Sequence, residues 1–250
     1  MQANLTIAAI SDRGVIRSHN EDAFAVLEPS NGDSDSRGSL LIVADGLGGH
    51  NAGEFASQIA ISTLSDCYQN SMDLTREQEL KDAVQDAHRH ILEEAQRNIL
   101  RQGMGTTIAL VAIRGDNATV VHVGDSRAYL LRNGVLSRLT LDHSWVEQQI
   151  LAGELPIEAA REHPLRHVIT QALGAMEAIE PSAFTWRLRA GDVVLLSTDG
   201  LHGLVSGQTM HEILTTQSPD AAVHALVESA KEQGGPDNIT VIIARVDSLN

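Results

Sequence analysis

Aromatic residues are scarce in this chain: three Phe, two Tyr and two Trp make up 3% of 250 residues. Its core must therefore be aliphatic, built from Val, Ile, Leu and Ala. Cysteine occurs once, at Cys67, which excludes an internal disulfide and is in keeping with a reducing cytoplasm, the thiol being expected buried and inert. Basic residues are also few, with 18 Lys and Arg against 33 Asp and Glu, a formal net charge of -15. Such a field repels nucleic-acid phosphates and anionic lipid, so neither is an expected partner. No apolar run approaches the roughly 18 residues of a membrane span, and Met1 to Asp12 lacks the basic start and long apolar stretch of a leader. The expectation is a soluble, unsecreted, monomeric protein. With 42% hydrophobic residues, residues 1–250 suffice for one domain with a sizeable core.

What the chain does have is a recurrent ending to its apolar runs. Leu-Leu-Ile-Val-Ala stops at Asp45-Gly46, Val-Val-His-Val stops at Gly124-Asp125, and Val-Val-Leu-Leu-Ser-Thr stops at Asp199-Gly200. A fourth acidic turn, Gly234 to Asn238, precedes the apolar run Ile239 to Ala244. A lone Asp-Gly is more often turn chemistry than a ligand. Here Asp45-Gly46 and Asp199-Gly200 each lead into helical spacing instead of a returning strand, whereas Asn133-Gly134 lies between two strand-like runs and reads as an ordinary hairpin turn. Strands that deliver carboxylates at their ends can build a cluster of hard oxygen ligands for divalent cations.

Strand-like segments are expected at Leu5 to Ser11, Phe24 to Leu27, Ser39 to Ala44, Thr106 to Arg114, Ala118 to Val123, Arg127 to Arg132, Val135 to Thr140, Ala183 to Arg187, Asp192 to Ser197 and Ile239 to Val246. Helical periodicity covers Ala52 to Asn70, Arg76 to Gln102, Ser206 to Thr216 and Pro219 to Gln233. His88 and His90 are expected on the solvent side of the second helix. Helices grouped in pairs between runs of strands do not fit a doubly wound parallel sheet and favour antiparallel sheets covered by helices. Pro29 to Gly38 reads as an exposed loop. Between Thr140 and Gly174 a mixed, charged insertion suggests an outlying lobe, with Asp142 expected to cap its first helix.

Taken in order, the set Arg17, Asn20-Glu21-Asp22, Asp45-Gly46-Leu47-Gly48-Gly49-His50, Gly105-Thr106-Thr107, Gly124-Asp125-Ser126-Arg127, Asp142-His143-Ser144, Ile169 to Gly174, Ser197 to Leu201 and Asp237 to Thr240 resembles the metal-dependent protein phosphatases of type 2C, in particular their compact bacterial branch. The resemblance runs from about Ile7 to Val246. It implies an α/β fold of the α+β type, a sandwich of two antiparallel β-sheets flanked by pairs of helices, with a flap at about 143–170. It further implies a centre of two Mn²⁺ or Mg²⁺ ions. Asp45 would bridge them, Gly46 would offer its carbonyl, Asp199 and Asp237 would bind the other ion, and Glu21 and Asp22 would act through water. Asp125 with Asp199 would hold a third ion, and Arg17 the substrate phosphate. Apart from the resemblance, Ser126 and Arg127 are read as doing no more than anchoring Asp125, and neither is taken as catalytic.

The chemistry agrees with that assignment. A phosphate monoester is a dianion, and two cations roughly 3.5 to 4 Å apart both neutralise it and lower the pKa of a water between them, which then attacks. A guanidinium donates two parallel hydrogen bonds to phosphate, which Lys cannot reproduce. Oxygen donors without cysteine clusters favour Mg²⁺ or Mn²⁺ over zinc. The activity implied is hydrolysis of phosphoserine and phosphothreonine in proteins, the substrates of a Ser/Thr kinase. Two other readings compete: a non-catalytic binding or signalling module on the same fold, and calcium sites serving stability alone. The chain departs from many eukaryotic relatives at Leu47, where they carry a histidine proposed as general acid; His50 is a candidate replacement. His167 stands where bacterial relatives commonly have asparagine.

Overall fold

The computed structural model describes residues 2–29, 38–48, 52–70, 76–160 and 163–249. Two five-stranded antiparallel sheets form its centre. The first contains β2 (Ala23–Leu27), β3 (Ser39–Ala44), β6 (Ile108–Arg114), β7 (Asn117–Val123) and β10 (Ser182–Arg187), in the order β10-β7-β6-β3-β2. The second contains β1 (Ala3–Asp12), β8 (Arg127–Arg132), β9 (Val135–Arg138), β11 (Val193–Ser197) and β12 (Ile239–Leu249), in the order β1-β12-β11-β8-β9. A short ladder of β4 (Gly46–Leu47) and β5 (Gly105–Thr106) stands apart from both.

Side chains alternate across a strand, and here both faces of the central strands are covered. Leu41 and Val43 of β3 meet Val194, Leu196, Ile242 and Ala244 of the opposing sheet, while Leu40 and Ile42 join the helices α1 (Ala52–Asn70) and α2 (Glu77–Arg97). On the far side, Val193, Leu195, Val241 and Ile243 pack against α5 (Asp199–His202), α6 (Gly207–Thr216) and α7 (Pro219–Glu232). The result is a four-layer sandwich, helices on sheet on sheet on helices, as expected from the resemblance. The cores are aliphatic, with Tyr68, Tyr129 and Trp186 the aromatic members among the described residues.

Local chemistry trims several expected elements. The second helix stops at Arg97, because Asn98 is extended and its side chain accepts from Leu100 N–H, leaving a 3-10 turn at Ile99–Arg101. The run from Thr106 is split: Thr107 N–H donates to Asp45 O, so Gly105–Thr106 pairs with Gly46–Leu47 and the sheet strand starts at Ile108. The strand from Val135 ends at Arg138, while Thr140 Oγ1 accepts from Ala128 N–H. Ser206 and Ser218 cap α6 and α7 as accepting N-caps. At Asn133 and Gly134 both φ angles are positive, 52° and 74°, the geometry of the hairpin turn expected there.

Two readings of individual residues need correction. His88 is 5% exposed, its Nδ1 accepting from Gly174 N–H at 3.0 Å, so it faces the core while His90 stays outside. Asp142 does not cap the insertion's first helix, α3 (Trp145–Leu151). Ser144 does, its Oγ accepting from Glu147 N–H, and Asp142 is instead gripped by the Arg127 guanidinium through Nε at 2.9 Å and 3.1 Å. Cys67 is free and half-buried, its thiol pushed up by burial and by Asp86 and Asp66, which keeps it unreactive. Most of the loop expected between Pro29 and Gly38 lies outside the described residues. Among the described residues no helix is long and apolar enough to cross a membrane.

Candidate active site

The acidic residues sit where strands end. Asp45 follows β3, Asp199 follows β11 and opens α5, Asp125 lies in the β7–β8 turn, Asp237 lies in the turn before β12, and Glu21 and Asp22 close the loop between β1 and β2. Sheet register brings these ends to one edge of the sandwich, since Ser197 pairs with Val241 and with Arg127, and Ala23 with Ala44. Asp22, Asp45, Asp125 and Asp199 are each half-buried.

Hydroxyl groups and backbone hold these carboxylates. Asp22 Oδ2 accepts from Thr198 Oγ1 at 2.8 Å and from Thr240 Oγ1 at 2.7 Å. Thr107 N–H and Thr106 Oγ1 both donate to Asp45 O, at 2.9 Å and 2.8 Å, and Thr107 Oγ1 also pairs with Ser126 Oγ. The carboxyl groups of Asp45 and Asp199 adjoin, each influencing the titration of the other. Asn238 knits the loop after β1 into place: its Oδ1 accepts from Glu21 N–H, and its Nδ2 donates to Arg13 O and His19 O. Arg17, on that loop, donates to Asp237 Oδ2 at 2.8 Å, with both side chains partly open to solvent. The backbone closes in at Gly46, where any Cβ would stand 2.3 Å from Gly53 O and 2.5 Å from Glu21 O, so only glycine fits.

The electrostatics are dominated by like charge. Desolvation, then Asp22, Asp199, Asp125 and Asp237, push the Asp45 carboxyl well above its usual range. Desolvation raises Asp22 to about 7 although its two threonine hydroxyls oppose this, and raises Asp125 to about 7 with help from Asp199 and Asp142. Asp199 is raised by desolvation and by Asp237, and restrained by the adjoining Asp45 carboxyl, by His167 and by Arg17. Glu21 is raised by desolvation against the pull of Arg17. Asp199 Oδ1 is sealed from solvent and has no hydrogen-bond partner.

A cluster of this kind fits a divalent cation. It is rich in hard oxygen donors, poor in compensating cations, and contains an acceptor atom nothing satisfies. Among the described residues no three His, Cys, Asp or Glu side chains are drawn tightly around one point as they stand, in keeping with their mutual repulsion, so the site is defined by its donors and charge.

Of the residues singled out from sequence, Asp22, Asp45, Asp125, Asp199 and Asp237 are brought into one electrostatic group, with Glu21, Gly46 and Arg17 at its margin. His50 and Gly49 lie outside the described residues. Leu47 occupies β4. His167, exposed on the insertion, attracts Asp199. Arg127 bonds Asp142 and acts on Asp125 through its charge. Two histidines also hold the Asp125 turn. His143 Nδ1 accepts from Gly124 N–H at 3.3 Å while His143 N–H donates to Gly124 O at 2.9 Å. His202 bonds the Asp125 backbone and, through Nδ1, Ser197 Oγ.

Comparison with known proteins places these observations. Residues 16–233 match the family model described as Protein phosphatase 2C. The chain is 36% identical over 242 residues to the serine/threonine phosphatase stp of Listeria monocytogenes, covering 95% of this chain and 94% of that protein. It is 38% identical to the serine/threonine protein phosphatase PstP of Mycobacterium tuberculosis, of whose length it spans 45%. Among solved structures, the catalytic domain of PstP in complex with two manganese ions superposes with a TM-score of 0.85 at 36% identity, covering 98% of this chain and 99% of that one.

Proposed function

The chain belongs to the protein phosphatase 2C family, and from that premise we propose how its residues carry out metal-dependent hydrolysis of phosphoserine and phosphothreonine in proteins. Asp45, with the Gly46 carbonyl, and Asp199 with Asp237 would hold two Mn²⁺ or Mg²⁺ ions. Glu21 and Asp22 would steady their water shell, and Asp125 with Asp199 would offer a third position. Such ions would supply positive charge to offset the phosphate dianion and would make water more acidic at the site.

The protein's own part is positional. Thr198 and Thr240 occupy one oxygen of Asp22, which leaves the other free to orient water. Arg17, hinged on Asp237 at the partly open rim, is placed to turn its guanidinium onto an incoming phosphate. The observation that carries this reading is the gathering of five mutually repelling aspartates from separate turns, with an arginine at their edge. No phosphoenzyme is required of a chain whose one cysteine, Cys67, sits on α1. The insertion from 143 to 170 is read as a flap that tunes substrate entry. Action as a monomer in a reducing cytoplasm, against the products of a Ser/Thr kinase, completes the proposal.

The test is phosphate release from a phosphothreonine peptide with Mn²⁺, Mg²⁺, Ca²⁺ or chelator. Activity with the first two and loss with chelator are expected; full activity in chelator would overturn the metal-dependent reading.

A further inference from the structure

Arg127 follows Asp125 by two residues, and its positive charge is felt at the Asp125 carboxyl. Among the described residues, however, no ion pair or hydrogen bond joins the two side chains; the guanidinium is engaged by Asp142 and Tyr129. Its Nε donates to Asp142 Oδ1 at 2.9 Å and to Oδ2 at 3.1 Å, Nη2 donates to the same Oδ2, and Nη1 donates to Tyr129 Oη at 3.2 Å. Asp142 is 8% exposed and is flanked by a second arginine, Arg138, whose Nη1 lies 3.6 Å from Oδ1 while its Nη2 donates to Glu147 Oε1 at 2.6 Å. The segment bearing Asp142 is fixed beside the Asp125 turn, since Ala128 N–H donates to Thr140 Oγ1 at 3.2 Å and His143 N–H to Gly124 O at 2.9 Å. The turn is fixed in its own right by buried Ser126, whose Oγ pairs with Thr107 Oγ1 at 2.7 Å.

We propose that Asp142 is a positioning residue for cation binding: by holding the Arg127 guanidinium it keeps that side chain from pairing with Asp125, and so leaves the Asp125 oxygens open to a divalent ion. The inference rests on the reading of Asp125 as a cation ligand. A guanidinium and a metal ion compete for the same carboxylate oxygens, and each needs the carboxyl ionised. Loss of the Asp142 charge acts twice in the guanidinium's favour. It frees Arg127, whose partly buried charge then lacks its partner, and it lifts the repulsion that Asp142 exerts on Asp125. An ion would then have to displace an arginine before it could bind. Had Arg127 instead been the anchor of Asp125, removing the guanidinium would weaken cation binding; the clamp predicts the reverse.

The experiment is calorimetric titration of Mn²⁺ into chelator-stripped protein, for the parent, Asp125→Ala, Asp142→Asn, Arg127→Gln and the double variant Asp142→Asn with Arg127→Gln. The difference between the parent and Asp125→Ala defines the site in question. At that site Asp142→Asn is expected to bind about tenfold more weakly than the parent. The double variant is expected to regain the parent's affinity, because no guanidinium is left to compete. A merely structural role for Asp142 would not be rescued by a second substitution in the same buried cluster. Arg127→Gln alone is expected to bind as tightly as the parent or more tightly, which decides the matter should Asp142→Asn fold poorly. Parent-like affinity in Asp142→Asn, no recovery in the double variant, or weaker binding in Arg127→Gln overturns the proposal. If Asp125→Ala keeps every site, the assignment of Asp125 as a ligand falls and the clamp with it. If Asp125→Ala loses a site that Asp142→Asn retains at full affinity, the clamp alone falls.

Discussion

Arg17 shows how much a single side chain's meaning depends on its neighbours. Alone it reads as a surface arginine; four positions before Glu21 and bonded to Asp237 at 2.8 Å, it becomes a cation at the edge of the carboxylates. Replacing it by Lys keeps the charge but loses the two-point grip on phosphate. Arg17→Lys is therefore expected to raise the KM for a phosphopeptide about tenfold with a smaller change in kcat, and steady-state kinetics showing an unchanged KM would refute the role. Asp45, Asp125, Asp199 and Asp237 were legible in the sequence because they lie where apolar runs meet a glycine or an acidic turn, whereas Glu21 and Asp22 came only from the resemblance. The residues that position them were not. Thr198 and Thr240 reach Asp22 across 176 and 218 positions, a separation no local pattern encodes. His88 was misread because it follows Ala87 on the flank of the apolar stripe, and only the approach of Gly174 shows that the flank is covered.

At the level of elements, strand and helix positions were readable because apolar runs and caps are local. What altered their ends was contact from elsewhere: Asp45 O drawing Thr107 out of its strand, and Arg127 taking Asp142 from the helix it was expected to cap. The insertion's root has its own fastening. His143 makes the reciprocal pair with Gly124, donates or accepts at Ser182 Oγ at 3.0 Å, and accepts at its carbonyl from Thr170 N–H at 2.7 Å, tying both ends of the insertion to the Asp125 turn. Burial holds its imidazole down to about 4, with His122 adding to the effect, so it stays neutral and accepting at ordinary pH. His143→Ala is expected to speed amide exchange across residues 144–152 and at Gly124 by more than tenfold, while β3 and β6 remain protected. Unchanged exchange in the insertion would show that the fastening lies elsewhere.

For the molecule as a whole, helix pairs pointed to antiparallel sheets covered by helices and the resemblance to a sandwich, but the strand order was not legible, because β12, last in the chain, inserts between β1 and β11. Nor did the net charge of -15 reveal where repulsion concentrates. Asp22 and Asp125, raised to about 7 in the folded protein, keep protons that the unfolded chain releases near 4. Their contribution to metal-free stability is thus present below about 4 and lost as pH rises through about 7. His143, lowered to about 4, acts oppositely, contributing above about 6.5 and losing that contribution as pH falls toward about 4. Cation binding requires ionised carboxylates, so the rise in Tm produced by Mn²⁺ is expected to be larger at pH 8 than at pH 5.5; an increment independent of pH would contradict this. The most direct measurement is the Tm of Asp45→Asn beside the parent, each with chelator and with saturating Mn²⁺. If the carboxylates are gathered to hold cations, the substitution should raise or preserve the Tm in chelator, by removing a repelled charge, and abolish most of the rise with Mn²⁺. A lower Tm in chelator together with an undiminished rise with Mn²⁺ would mean that Asp45 serves the fold and the ions bind elsewhere.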